Sequence, residues 1–231
     1  MTARQYERAE RLLGPGSIQK LKSKRVILFG VGGVGSFAAE ALIRTGLGHL
    51  TLVDYDRVEE TNLNRQIHAT QDTIGQFKTL VMRERLLSID ADAEIHTMEL
   101  FYQPENRQSF RLIDYDYVID AIDSVPSKID LLAYARRQGL PVISAMGAGN
   151  KLDPTRFQVT DLNDTRVCPL AKVVRKGMRD LGITGIKAVW SDEQPIMLPD
   201  RDVVRSPGSV AYVPSVAGLV IASEVVKDLI D

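Results

Sequence analysis

Residues 30–35 form a glycine-rich loop, Gly-Val-Gly-Gly-Val-Gly, with the spacing G-x-G-x-x-G. In such a loop the first glycine (Gly30) permits a tight turn, the second (Gly32) lets a phosphate approach the backbone, and the third (Gly35) lets a helix pack closely on a sheet. Asp54 follows Gly35 by 19 residues, where a carboxylate that binds ribose hydroxyls is expected. The pattern predicts a nucleotide site and leaves nicotinamide, flavin and adenine nucleotides open, with a purely structural glycine turn as the alternative.

Charged and amide side chains follow the loop in an order that suits a triphosphate. They are Asn62, Arg65, Gln66, Lys78 and Asp123. A dinucleotide presents only a pyrophosphate, whereas a triphosphate needs cations and usually magnesium. Arg65 and Lys78 are predicted to contact the β- and γ-phosphates, and Asp123 to hold Mg²⁺. Asn62 is expected to bond a phosphate or ribose oxygen. Each residue alone also fits a solvated side chain or, for Asp123, a helix N-cap, but their order favours ATP.

Apolar runs that alternate with helical patterns indicate the framework that positions these residues. Strands are predicted over 24–29, 49–54, 93–98, 117–122, 140–145, 157–160 and 186–190. Helices are predicted over 6–22 with a break at 14–16, and over 36–45, 61–69, 74–89, 126–138, 170–181 and 216–230. In the helix over 74–89, one apolar face is expected from Ile74, Phe77, Leu80 and Val81. The alternation predicts an α/β protein with a doubly wound, mostly parallel, Rossmann-like sheet and a C-terminal extension.

The 231 residues are expected to form a single domain. Residues 1–150 would be its nucleotide-binding core, residues 151–231 a substrate or dimer extension, and residues 192–209, with three prolines among charges, a mobile loop. The net charge of −1 gives no bulk attraction to nucleic acid or membrane. The single cysteine, Cys168, excludes a disulfide framework, and no apolar stretch is long enough for a spanning helix, so a soluble cytoplasmic protein is predicted.

Together with the glycine loop, four further motifs resemble the ubiquitin-activating-enzyme superfamily, which includes bacterial adenylyltransferases for molybdopterin and thiazole synthesis. They are Leu52-Val53-Asp54-Tyr55-Asp56, Asn62-x-x-Arg65-Gln66, Gly75-x-x-Lys78 and Asp120-x-x-Asp123, and the resemblance covers about residues 6–150. It implies ATP bound at Gly33, Asp54, Asn62, Arg65 and Lys78, with Asp56, Gln66 and the other loop glycines in the same site, and Mg²⁺ near Asp123. It also implies an N-terminal arginine that reaches a partner subunit's site, for which Arg11 matches best and Arg8 is the alternative.

The later part of the chain is similar to the tRNA threonylcarbamoyladenosine dehydratase branch of that superfamily. The motifs are residues 144–154, Asp161-x-x-x-Thr165, 169–171, 174–175, Ser191-x-Glu193-x-Pro195 and Gly208-Ser209-x-x-Tyr212-Val213-Pro214. The resemblance implies ATP-dependent closure of the threonylcarbamoyl group on adenosine 37 of tRNA into a cyclic form, and a homodimer. It leaves open a monovalent cation near the Gly147 turn and sulfur-transfer protein partners.

Carboxylate activation fits these residues. ATP converts a carboxylate into an acyl phosphate or acyl adenylate. Cyclisation then needs neither a cysteine nor a structural zinc site, because the attacking atom belongs to the same substrate. Arg65, Lys78 and a metal at Asp123 are predicted to stabilise the charge that develops, with Arg11 counted as a fourth catalytic residue. Cys168 is interpreted as structural, although its place before a helix start would stabilise a thiolate.

A basic helix face is the predicted tRNA contact, with a solvated surface as the alternative. Its residues are Lys172, Arg175, Lys176 and Arg179, and further candidates are Lys151, Arg166, Arg201 and Arg205. Three rival functions remain: an adenylyltransferase that activates the C-terminus of a small sulfur-carrier protein, a nicotinamide oxidoreductase, and a non-enzymatic binding module. Neither of the last two has a use for Arg65, Lys78 and Asp123 together.

Overall fold

A computed structural model describes residues 4–197 and 207–231 of the chain. Within these residues a seven-stranded sheet has the order β3-β2-β1-β4-β5-β7-β6. The strands are β1 (Arg25–Phe29), β2 (His49–Val53), β3 (Glu94–Met98), β4 (Tyr117–Asp120), β5 (Val142–Ala145), β6 (Phe157–Asp161) and β7 (Lys187–Ser191). All neighbours pair in parallel except β6, which pairs with β7 antiparallel. The predicted doubly wound, mostly parallel sheet is confirmed, with a switch point between β1 and β4.

Helices cover both faces of the sheet. They are α1 (Glu7–Leu13), α2 (Ser17–Lys22), α3 (Gly35–Thr45), α4 (Lys78–Ile89), α5 (Val125–Arg137), α6 (Pro169–Asp180) and α7 (Tyr212–Ile230). Alternation along β1 divides the core, because Val26 and Leu28 pack into the cluster under α2, α3, α4 and α7, whereas Ile27 and Phe29 pack under α5 and α6. Both faces of β1 are therefore apolar, which is why it reads as a continuous hydrophobic run.

Segment 61–69 is not the helix that the sequence predicts. A short 3₁₀ turn covers Glu60–Asn62 and is followed by further turns, in which Arg65 N–H donates to the Asn62 carbonyl at 3.1 Å and Ala69 N–H to Gln66 at 3.0 Å. The Asn62 side chain accepts from Glu59 N–H at 3.1 Å. Together with the Glu59 side chain, this bond forms a capping box at the start of the short turn.

Two helices begin elsewhere than predicted. Helix α4 starts at Lys78 rather than residue 74, because Phe77 is extended and Gly75 has a φ of +85°. Ile74, which precedes this helix, and Leu80 on it are both exposed, whereas Val81 is buried, so the expected apolar face is wrong at Ile74 and Leu80. Helix α7 starts at Tyr212 rather than residue 216, with Pro214 in its first turn, where no intrahelical N–H bond is required.

Residues 198–206 of the predicted loop over 192–209, including Arg201 and Arg205, lie outside the described residues. In the part of the chain that is described, no helix combines the length and apolarity that crossing a membrane would take.

Candidate nucleotide-binding and active site

A pocket of about 550 Å³ opens at the carboxyl ends of the parallel strands, over the switch point. Five loops wall it, one after each of β1, β2, β3, β4 and β5: residues 29–34, 53–56, 100–102, 121–123 and 145–149. Residues 59–66, 207–214 and the first residue of α4 contribute the remaining polar wall. The pocket is therefore where an open α/β sheet is expected to bind a ligand.

The glycine loop turns sharply above β1. Gly30 has a φ of +91°, and a Cβ atom there would lie 2.5 Å from the Ala121 carbonyl oxygen. Gly32 and Gly33 line the pocket, whereas Gly35 does not. A Cβ at Gly35 would lie 1.9 Å from the Gly30 carbonyl oxygen, so this glycine serves the close packing of α3 and contacts no ligand space.

Asp54 connects the glycine loop to the end of β2. Its carboxylate accepts from Val31 N–H at 2.6 Å and from Asp56 N–H at 2.8 Å. Burial raises the pKa of this carboxyl, while the Lys78 ammonium and the two backbone N–H groups oppose the rise. An ionised carboxylate has about four lone-pair sites, so two remain for ribose hydroxyls.

Lys78 places its ammonium in the pocket wall against a carboxylate. Its Nζ lies 2.7 Å from Asp56 Oδ2, and the side chain is 8% exposed while that of Asp56 is 42% exposed. The backbone N–H of Lys78 also donates to the Asp56 carbonyl at 3.0 Å, which fixes the start of α4 beside the end of β2. A cation held in this way by a half-exposed acid is available to an incoming phosphate.

The other predicted polar residues face the same space. Asn62, Arg65, Gln66 and Asp123 all line the pocket. Arg65 Nη1 donates to the Thr61 carbonyl at 2.7 Å and to Asn64 Oδ1 at 2.9 Å, which holds the guanidinium beside the glycine loop. The Gln66 side-chain oxygen is buried without a partner in the described structure. The structure thus brings together the residues that the sequence spreads over more than ninety positions.

Asp123 is the predicted metal ligand, and its carboxylate is exposed within the pocket. The pKa of the nearby Tyr55 phenol is raised first by the Asp56 carboxylate and by burial, and then by Asp123 and Asp54. Among the described residues no group of three or more His, Cys, Asp or Glu could hold a metal ion. Magnesium that is bound with a triphosphate needs only one or two carboxylates, because phosphate and water oxygens complete its shell. Asp123 fits that role.

Helix ends from the last third of the chain complete the pocket, which sequence reasoning did not anticipate. Leu170 at the start of α6 and Pro214 at the start of α7 line it. Pro214 is so close to the glycine loop that a Cβ at Gly33 would lie 3.3 Å from its ring. Val34, the N-cap of α3, lines the pocket as well, so the first turns of three helices border it.

The two N-terminal arginines and Cys168 lie outside this pocket, as Gly35 does. Arg8 and Arg11 are exposed on α1 and line no part of it. Cys168 is buried, with its Sγ 3.5 Å from the position that a Cβ on Gly147 would take. It follows Val167, which has a φ of +62°.

The basic face of α6 is divided. Lys172, Lys176 and Arg179 are exposed. Arg175 is half-buried and donates to the Thr165 carbonyl at 2.5 Å and hydroxyl at 2.7 Å. Its guanidinium thus stabilises the turn before the helix, so three of the four predicted residues offer a free basic surface.

His68 is a buried imidazole behind the pocket wall. Both its ring nitrogens lack a partner in the described structure, and burial lowers its pKa to about 4, aided by the Lys78 and Arg85 cations. The ring is therefore neutral at neutral pH. Nothing in the motif pattern distinguishes this residue.

The sheet order, the glycine loop and the polar pocket define a nucleotide-binding protein of the Rossmann-like α/β class. The chain belongs to the ThiF family, whose sequence profile matches residues 3–231.

Similar proteins cover nearly the whole chain. A tRNA threonylcarbamoyladenosine dehydratase of Bacillus subtilis is 43% identical over 98% of this chain and 94% of its own length. The crystal structure of the Escherichia coli tRNA N6-threonylcarbamoyladenosine dehydratase TcdA in complex with ATP is 38% identical, with a TM-score of 0.91 over 98% of this chain and 93% of that one. By contrast, the MOCS3 adenylyltransferase and sulfurtransferase of Drosophila sechellia matches 58% of this chain at 37% identity, over 29% of its own length.

Proposed function

We propose that this protein uses ATP to dehydrate N6-threonylcarbamoyladenosine at position 37 of tRNA to its cyclic form. One observation carries the proposal: the glycine loop, Asp54, Arg65, Lys78 and Asp123 share one pocket in a chain that matches dehydratases from end to end. The sulfur-carrier adenylyltransferase is not favoured, because the adenylyltransferase relatives match 58% and 65% of the chain, whereas a dehydratase matches 98%.

ATP is proposed to lie with its ribose on Asp54 and its phosphates along the glycine loop. Arg65 and Lys78 would then contact the β- and γ-phosphates, with Asn62 and Gln66 as hydrogen-bonding partners. Lys78 is held by Asp56, which is itself half-exposed, so exchange of this carboxylate for a phosphate leaves no buried charge unpaired. The N-terminus of α3, whose N-cap Val34 lines the pocket, adds to the attraction. This arrangement supplies positive charge without a net basic chain.

A magnesium ion would be held by Asp123 together with phosphate oxygens, where it would neutralise charge on the phosphates. In the reaction, a carboxylate oxygen of the threonylcarbamoyl group forms a bond to the γ- or α-phosphorus of ATP, and ADP or pyrophosphate leaves as the P–O bond to it breaks. The ureido group of the same substituent then attacks the activated carbonyl, loses a proton and expels phosphate or AMP. Arg65 and Lys78 stabilise the charge on the transferred or leaving group. No protein nucleophile is required, so a buried Cys168 fits the scheme.

The remaining partners are expectations from the sequence and the resemblance. The basic helix face predicts that the tRNA would lie on α6, where Lys172, Lys176 and Arg179 are exposed. The protein would act in the cytoplasm as a homodimer of single-domain chains, in which Arg11 reaches the partner's pocket. A monovalent cation near Gly147 and sulfur-transfer protein partners stay open. Analytical ultracentrifugation tests the dimer, and activity in K⁺ against choline tests the cation.

The decisive experiment is incubation with ATP, Mg²⁺ and tRNA that carries threonylcarbamoyladenosine, followed by mass spectrometry of the nucleosides. We expect loss of one water that depends on ATP. Product formation without ATP, or ATP consumption only in the presence of a small protein with a Gly-Gly terminus, contradicts the proposal.

A further inference from the structure

A buried ion pair lies directly beneath the pocket floor. Lys128 of α5 and Asp120 at the end of β4 are both 0% exposed, and Nζ lies 2.6 Å from Oδ2. The ammonium also donates to Ser144 Oγ at 3.3 Å and to the Ala145 carbonyl at 3.0 Å. Asp120 accepts in addition from the Ser144 hydroxyl at 2.6 Å and from Ile122 N–H at 3.1 Å. All three ammonium hydrogens and both carboxylate oxygens therefore have partners.

These partners lie where β4 and β5 end and two of the pocket loops begin. Residues 121–123 leave the sheet immediately after Asp120, and residues 145–149 leave it at the end of β5. Lys128 bonds to the last residue of β4 and to the first residue of the second loop, so one ammonium joins the two. The first loop also touches the glycine loop, since its Ala121 carbonyl closes the space at Gly30.

Stability alone gives a weak reason for this arrangement. Removal of two charges from water carries a large desolvation cost, and apolar residues of similar volume in place of a buried pair are often as stable or more stable. A fully bonded polar network does, however, define one geometry where apolar packing allows several. The network lies where a displacement of the loops by 1 Å would alter the distance between Asp123 and the reacting groups.

We infer that Lys128 is a positioning residue for the reaction: through Asp120 and Ala145 it sets the separation between the loop that bears Asp123 and the Gly147 turn. The inference rests on the proposed function. Lys128 touches neither pocket nor ligand space, and it acts only through the backbone of the two loops.

The test separates positioning from folding with a double variant. Lys128→Met alone leaves Asp120 as a buried unpaired acid, and Asp120→Asn alone leaves an unpaired ammonium, so both single variants should unfold at lower temperature. The double variant Asp120→Asn/Lys128→Met removes both charges and should recover most of the melting temperature. Tyr117→Phe is the matched control, because it removes a buried hydroxyl at the opposite end of β4, where the hydroxyl bonds Asp228 at 2.7 Å.

Calorimetric titration of ATP·Mg²⁺ and steady-state dehydration of modified tRNA are then compared. We expect the double variant to bind ATP within about threefold of the parent, because Asp54 and Lys78 lie on the other side of the pocket. Its kcat should fall about 100-fold, which is the order of loss for a 1 Å misplacement. Tyr117→Phe should keep the parental kcat.

A folded double variant whose kcat lies within threefold of the parent overturns the inference. Should that variant fail to fold, Ser144→Ala decides: a fall in kcat of about fivefold with unchanged ATP affinity supports positioning, and an unchanged kcat refutes it. A parent protein that shows no dehydration at all contradicts the proposed function instead, so the two failures are distinct.

Discussion

Replacement of Lys78 by methionine tests the proposed phosphate site directly. The methionine keeps most of the volume of the side chain and removes only its charge. Asp56, its present partner, is 42% exposed, so the loss leaves no buried charge. The free energy of unfolding should change by no more than about 1 kcal/mol, because the buried ammonium loses its desolvation cost together with its pairing to a half-exposed acid. The variant should therefore be folded and suitable for binding measurements.

Loss of ATP affinity should be much larger than loss of stability. A hydrogen bond to a charged group contributes about 1.5–3 kcal/mol, which corresponds to a factor of about 10–150 in the dissociation constant. Calorimetric titration of ATP·Mg²⁺ measures this change in the dissociation constant. The single-turnover rate of dehydration should fall further if Lys78 also stabilises the charge that develops on the phosphates. Lys78→Arg should recover part of the affinity, since the charge is retained in a different shape.

Lys227→Met is the matched control. Lys227 also pairs with a carboxylate, Glu224 at 2.7 Å, but it is 63% exposed near the end of α7, outside the pocket. Its loss should leave ATP binding unchanged. A Lys78→Met protein that is folded and binds ATP within twofold of the parent would show that Lys78 contacts no phosphate, and the assignment of the whole cationic cluster would fail with it.

Three further outcomes are expected. His68 has a pKa of about 4 in the folded protein against 6.5 in the unfolded chain. The unfolded chain thus binds the proton first as pH falls, so stability is lost between about pH 6.5 and pH 4. The free energy of unfolding in urea should therefore fall by about 2 kcal/mol more between pH 7 and pH 5 in the parent than in His68→Leu. Neutralising Lys172, Lys176 and Arg179 together should reduce the salt slope of tRNA binding, and an unchanged slope removes α6 from the interface. The Cys168→Ala variant should cyclise the modified tRNA at the parental rate, whereas complete loss of activity would assign the thiol a chemical role.

The glycine loop, the strands and the cationic cluster are predictable because each depends on local chemistry. A positive φ and close backbone approaches at Gly30 require glycine, and β1 is buried on both faces, so both features leave a direct mark on the sequence. Lys128 leaves no such mark. A lysine on an amphipathic helix reads as a surface residue, and only the ends of two neighbouring strands, brought together by the sheet, reveal its partners.

Helix starts are the other limit of the prediction. Pro214 reads as a helix breaker, yet in the first turn of α7 it forfeits no bond, so the helix begins earlier than the apolar pattern indicates. The prediction for segment 61–69 is wrong in the opposite direction, because composition permits a helix where the chain forms a capped 3₁₀ turn followed by further turns. The helix propensity of single residues predicts neither effect, because both depend on the path of the neighbouring chain.

The early start of α7 matters for the site. Gly218 lets this helix approach α3 so closely that a Cβ would lie 2.3 Å from the Val34 carbonyl oxygen, and the approach brings Pro214 onto Gly33. The C-terminal part of the chain therefore supplies wall residues to the same pocket that the glycine loop opens. Arg65 and the glycine loop share this pocket with Lys78, which is why Lys78→Met should weaken ATP binding by a bounded factor and not abolish it.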